Sequence, residues 1–187
     1  MKVAHATLES LAPYSQSRMH NTPKLDKEAP ATYEARTWRE RMHVTDKGNV
    51  FIPPMSFKFA LETAARFLRL RIPGKGQSEY GKHFQAGVIV PECLILPNKK
   101  DKVDGEWLNL HANGKRGSGT RVQRCMPIIP EWKGTVKYYV LDDTIPKDIF
   151  EQVLTESGNF IGIGRFRPEN GGYLGRYKIV KVQWEGS

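Results

Sequence analysis

One stretch limits the possible folds more than any other: PMSFKFALETAARFLRL, residues 54–70. Phe57, Leu61, Ala64 and Leu68 recur at helical spacing, with Ala60 and Phe67 flanking them. Lys58, Glu62, Arg66 and Arg69 run up another face. Pro54 suits a first turn, where its missing N–H has no helical partner to lose. Pro73 and Gly74 mark the stop. A helix that is apolar on one side needs a second layer to cover it.

Strands around this helix supply that layer. VAHATLES, residues 3–10, reads as a first strand, and VIVPECLILP, 88–97, as a strand pair or one bent strand. TVKYYVLDD precedes a second helix, IPKDIFEQVLTES, with Pro146 in its first turn and Gly158 just past its end. GRYKIVKVQW closes the order as a strand. TWRERMHV and VFIP are expected to be short extended pieces around a turn at Asp46-Lys47-Gly48-Asn49. The predicted class is α+β: a ferredoxin-like/RRM βαββαβ antiparallel sheet with two helices and basic Gly-rich insertions. A single domain is expected over 1–187, with a polar loop at 11–32 and an inserted basic region at 71–125.

The chain has 187 residues, 29 basic against 20 acidic, and a pI near 9.6. The excess is concentrated in the middle, where residues 49–102 carry nine basic and four acidic side chains. That balance points to a polyanionic partner, most simply nucleic acid. No apolar run approaches the ~18 residues of a membrane span. The first residues lack the apolar core of a signal peptide, so the expected compartment is the cytoplasm, with no membrane partner. Cys93 and Cys125 stand apart and outside any C-x-x-C, which argues for free thiols and against a metal site.

GNFIGIGRFRPENGGYLGR, residues 158–176, holds six glycines and three arginines. It is not a dinucleotide fingerprint: Arg167 stands where the third glycine belongs, and a helix rather than a strand precedes it. No G-K-[ST] occurs, which excludes a P-loop, and no cofactor is expected. Glycines such as Gly162 and Gly164 instead let backbone approach a ligand and point N–H groups at an anion. Arg165, Arg167 and Arg176 add charge-assisted contacts to phosphate. Two further basic segments share this chemistry, one with Lys75 and Lys82, the other with Lys115, Arg116, Arg121 and Arg124. Tyr80, Phe84, Phe166 and Tyr173 are available for base stacking. A metal-independent ribonuclease would need a histidine base, for which His20 and His43, each near arginines, are the candidates.

Three segments, in order, carry a resemblance to a family. VFIPPMSFKFALETAAR is similar to the first-helix signature of the RAMP superfamily of CRISPR-associated proteins, with Ile52, Pro53, Ser56, Lys58, Ala60 and Leu61 matching. Pro54 and Phe59 replace its glycines. PIIPEWKGTVKYYVLDD resembles the family's third strand, and FIGIGRFRPENGGYLGRYKI its glycine-rich loop. The resemblance covers roughly 33–70 and 126–182. It implies one RRM-like module that binds single-stranded RNA, or DNA, along its backbone. It also implies self-association along the strand or membership of a CRISPR-type complex. Some members are ribonucleases. The RPENGG-Y-x-GR form also resembles small phage proteins, which implies a solitary protein, in the host cytoplasm, that mimics or inhibits a CRISPR effector subunit. On this basis Lys58, Arg66 and Arg69 are expected to add charge from the first helix to that of the loops.

Overall fold

The computed structural model describes residues 1–112, 117 and 119–186. Strand β1 (Lys2–Ser10) alternates as a half-buried strand must. Ala4, Ala6 and Leu8 are buried, while His5, Thr7 and Glu9 face outward. It lies between β8 (Lys133–Val140) and β9 (Tyr177–Trp184), antiparallel to both. A two-residue strand, β4 (Val88–Ile89), pairs with the far edge of β8, giving the order β4-β8-β1-β9.

Helices α2 (Pro54–Leu68) and α4 (Lys147–Glu156) cover the apolar face of this sheet with aromatic rings. Phe57 of α2 packs edge-on against Trp132 and Tyr177, with centroids 6.1 and 6.4 Å away. Phe150 of α4 meets Tyr138 at 5.4 Å and Trp184 at 5.3 Å, and stacks on Phe84. Phe84 belongs to α3 (Gly81–Gly87). Such edge-on pairs contribute about 0.5–1.5 kcal/mol each beyond burial.

The remaining strands form two smaller antiparallel sheets. β2 (Tyr14–Ser15), β7 (Arg121–Ile129) and β6 (Asp104–His111) lie in the order β2-β7-β6, and β3 (Asn49–Ile52) pairs with β5 (Leu94–Lys99). Helix α1 (Pro30–Thr37) continues into a 3-10 turn at Trp38–Arg41 and rests on β7. Gly105 permits that contact: a Cβ there would lie 2.9 Å from the Trp38 ring and 2.4 Å from Cys125 Sγ.

The architecture is mixed α+β with antiparallel sheets, as expected, but with four α-helices among the described residues rather than two. Residues 37–41, expected to be extended, are helical, because Glu34, Thr37 and Trp38 form one buried face against β7. The polar segment 11–32 contains β2 and the first turn of α1. The inserted basic region 71–125 contains β4 and β5 within the stretch expected to be extended, and also α3, β6 and the start of β7, which were not expected. β6 and β7 pair antiparallel as far as His111–Arg121. β4 and β5, expected as a strand pair or one bent strand, lie instead in different sheets on either side of Pro91. α2 ends at Leu68, before Pro73, with Arg69 in the left-handed region at φ 51°. Both cysteines are free. No described helix is long and apolar enough to cross a membrane.

Candidate nucleic-acid interface

The glycine-rich segment is a folded loop stitched to the turn after β1. A π-turn at Ser157–Ile161 prolongs α4, and the chain then passes through Gly162 at φ 71° and Gly164 at φ 75°. A Cβ on Gly164 would stand 2.2 Å from the Ser15 carbonyl oxygen and 2.5 Å from the Tyr14 ring, so only glycine fits. Arg165 N–H donates to Ser15 O at 2.8 Å, Gly175 N–H to Pro13 O at 2.8 Å, and Ile163 N–H to Gly175 O at 3.0 Å. Gly162 N–H is taken by Ser157 O. The expected concavity of N–H groups is therefore largely spent on holding the loop shut. What the loop offers a ligand is side chains.

Those side chains border a cleft of about 360 Å³ between the loop, the start of α2 and the segment after β2. Arg165, Arg167, His43, Gln16 and Ser56 line it. Behind Arg165 lies a cluster that the sequence did not disclose. Glu34 is buried and accepts from Arg41 Nη1 and Nη2 at 2.8 and 3.0 Å, from Arg124 Nη1 at 3.0 Å, and from Cys125 N–H at 2.8 Å. Burial pushes the Glu34 carboxyl up, but these donors outweigh it and hold the group below its usual range. Arg165 is depressed by burial first, then by the charges of Arg41 and Arg124. Its Nε is buried with no hydrogen-bond partner among the described residues, and its guanidinium stacks 4.7 Å from the Phe166 ring. Gln16 is 3% exposed, and its Nε2 is likewise unpartnered. Two guanidiniums thus share the Glu34 carboxylate, and Arg165 stands near them with its Nε idle, as is Gln16 Nε2.

His43 is pushed below its ordinary value, by burial first and by the Arg18 charge second, so its ring is neutral at pH 7. Arg167 is held by Glu169 at 2.7 Å and by Gly164 O at 3.2 Å.

The other expected residues lie elsewhere. Lys58 is an internal brace: its Nζ donates to Phe84 O at 2.7 Å and Gln85 O at 2.8 Å at the end of α3, with Glu62 at 3.3 Å. Arg176 donates to Asn159 O and ties the π-turn. Arg66 and Lys82 border a different cleft beside α3, and Arg69 pairs with Glu79 at 3.1 Å. That cleft and the first adjoin opposite ends of α2, a helix about 22 Å long. The two groups therefore do not close over one site. Lys75 is exposed in the turn after α2, Arg121 at the start of β7 and Tyr173 at the loop tip. Lys115 and Arg116 fall outside the described residues. His20 is apart from the cleft, bonded to Thr22 Oγ1 at 3.1 Å and stacked on Tyr33.

Gln16, Glu34 and Arg41 were missed by sequence reasoning. The only sequence signal was the run of Arg36, Arg39 and Arg41 after Glu34, whose role stayed open between lining the groove and contacting another subunit. No family model matches the chain, and no curated protein matches its sequence.

Proposed function

We propose that this protein binds the phosphate backbone of single-stranded nucleic acid, RNA before DNA, as a RAMP-like module of ferredoxin-like topology. Support for the topology comes from the strand order β4-β8-β1-β9, with α2 crossing from β1 towards β4 and α4 from β8 to β9. The observation that carries the function is the charge at Arg165. A half-buried guanidinium beside two others, with an unpartnered Nε, is a costly arrangement that an anion relieves. A phosphate in the cleft meets Arg165 directly and competes with Glu169 for Arg167.

Titrating a labelled oligonucleotide against the R165A/R167A double variant tests this. Affinity should fall alike for all sequences, because phosphate contacts carry no base information. Binding equal to that of the unaltered protein would remove the loop from the function. Nucleic acid that co-purifies with the protein, and disappears after nuclease treatment, would support the same reading.

One observation favours a second reading, a metal-independent endoribonuclease. A neutral imidazole at His43, in the cleft with Arg165 and Arg167, is the form that accepts a proton from a 2′-hydroxyl. Hairpin RNA incubated with chelator should then be cut by the unaltered protein and left intact by His43→Ala. Cleavage by both would assign it to a contaminant.

A further inference from the structure

A base-stacking function should expose aromatic rings, and the usual place for them in an RRM-like module is the open sheet face. Here that face is laced with ion pairs. Glu9 meets Lys133 and Lys178 at 3.3 and 3.2 Å, His5 meets Glu185 at 2.8 Å, and Lys137 lies 5.0 Å over Tyr139. Besides Tyr173 at the loop tip and Trp107 on β6, exposed aromatics cluster along α2 and the π-turn: Phe59 is 54% exposed, Phe67 60% and Phe160 50%. Met55, Phe59 and Phe67 share one helical face, at spacings of four and eight, and Phe67 sits 5.7 Å from Phe160. The helix spends nothing on burying this stripe. It leads into an apolar cleft of about 230 Å³, lined by Met55, Phe59, Ala60, Ile161, Gly162 and Ile163. That is below the roughly 300–1,000 Å³ of drug-sized sites and suits one planar ring system.

The apolar cleft and the cationic cleft adjoin. Ser56, Gly164 and Arg167 line both. Charge thus selects the occupant: a ligand that is anionic at one end and flat and apolar at the other satisfies the two together. We propose that the apolar cleft takes an unpaired nucleobase, stacked against Phe59, while the adjacent phosphate sits at Arg165 and Arg167. The inference rests on the nucleic-acid reading and sharpens it. A paired base has its faces covered by its neighbours, so the shelf admits single strands and excludes duplex.

An abasic oligonucleotide separates the two ideas, because it keeps every phosphate and removes every base. The intact protein should bind an ordinary single strand about tenfold or more tightly than the abasic strand. Phe59→Ala should bring the ordinary strand down to the abasic affinity and leave abasic binding unchanged. Phe59 is exposed, so the fold tolerates the change, and circular dichroism checks it. Phe59→Leu keeps the apolar surface without the ring, and should also lose most of the preference. Equal affinity for ordinary and abasic strands, or full affinity in Phe59→Ala, would overturn the base shelf while leaving phosphate binding in place. Full affinity in Phe59→Leu would show a merely greasy contact and overturn stacking. Binding of neither strand would overturn the nucleic-acid reading itself, and the shelf with it. If Phe59→Ala instead abolished a concentration-dependent dimer in sedimentation and left strand binding intact, the face would belong to a second copy of the chain.

Discussion

At the scale of single residues, Glu34 is the position on which the cationic cleft depends. Its carboxylate binds Arg41 and Arg124, the two guanidiniums whose charge Arg165 feels, and it is 1% exposed. Glu34→Gln keeps the shape and removes the charge, leaving the guanidiniums to repel one another. Removing one partner of a buried ion pair costs roughly 3–5 kcal/mol, a loss that urea denaturation would register. The native carboxyl sits below its unfolded value, so its contribution is present above the unfolded value of about 4.3 and is lost as pH falls through the folded one. The acid limb of the stability profile should therefore be shallower in Glu34→Gln than in the parent; an unchanged limb would place the acid sensitivity elsewhere. Little of this was legible in the sequence. Arg165 and Arg167 announced themselves by standing among glycines, whereas Glu34 and Arg41 acquire their meaning only from β7, some ninety residues away.

Elements were legible where periodicity and proline agreed. α2, α4, β1, β8 and β9 all lie where alternation or helical spacing puts them, because each carries a complete apolar face of its own. Elements with only part of a face were not. α3 is seven residues of GKHFQAG with a single large apolar anchor, Phe84, and it is held from outside by the Lys58 ammonium on its last carbonyls. Charge there complements the helix C-terminus. Lys58 matches a family signature and was expected to touch nucleic acid, yet its ammonium is committed to packing α3 on α2. Lys58→Met should cost about 1.5–3 kcal/mol, the range for hydrogen bonds to charged groups, and leave oligonucleotide affinity unchanged at temperatures where the variant is folded. A selective loss of affinity without a loss of thermal stability would return Lys58 to the interface.

For the whole molecule, charge and connectivity have separate consequences. On the proposed reading, positive charge sets how binding responds to salt: each phosphate contact on a single strand contributes about −0.7 to the slope of log affinity against log salt. R165A/R167A should thus flatten the slope by about 1.4, and a parallel line would mean that the lost contacts were not ionic. The mixed α+β class with antiparallel sheets was legible because helical and strand periodicities both occur in the chain. The two smaller sheets were not, since β2 and β3 are two and four residues long and are defined by their partners. Connectivity also sets a timetable. β1 pairs on one side with β8, through Lys2–Val140, and on the other with β9, through Ala4–Trp184. β1 is consequently synthesised before both of its neighbours and is flanked on both sides only once β9 has followed. At roughly 5–20 residues per second, its apolar alternation waits about 9–36 s for β9, and a nascent chain stalled before residue 177 would present that strand to any chaperone within reach.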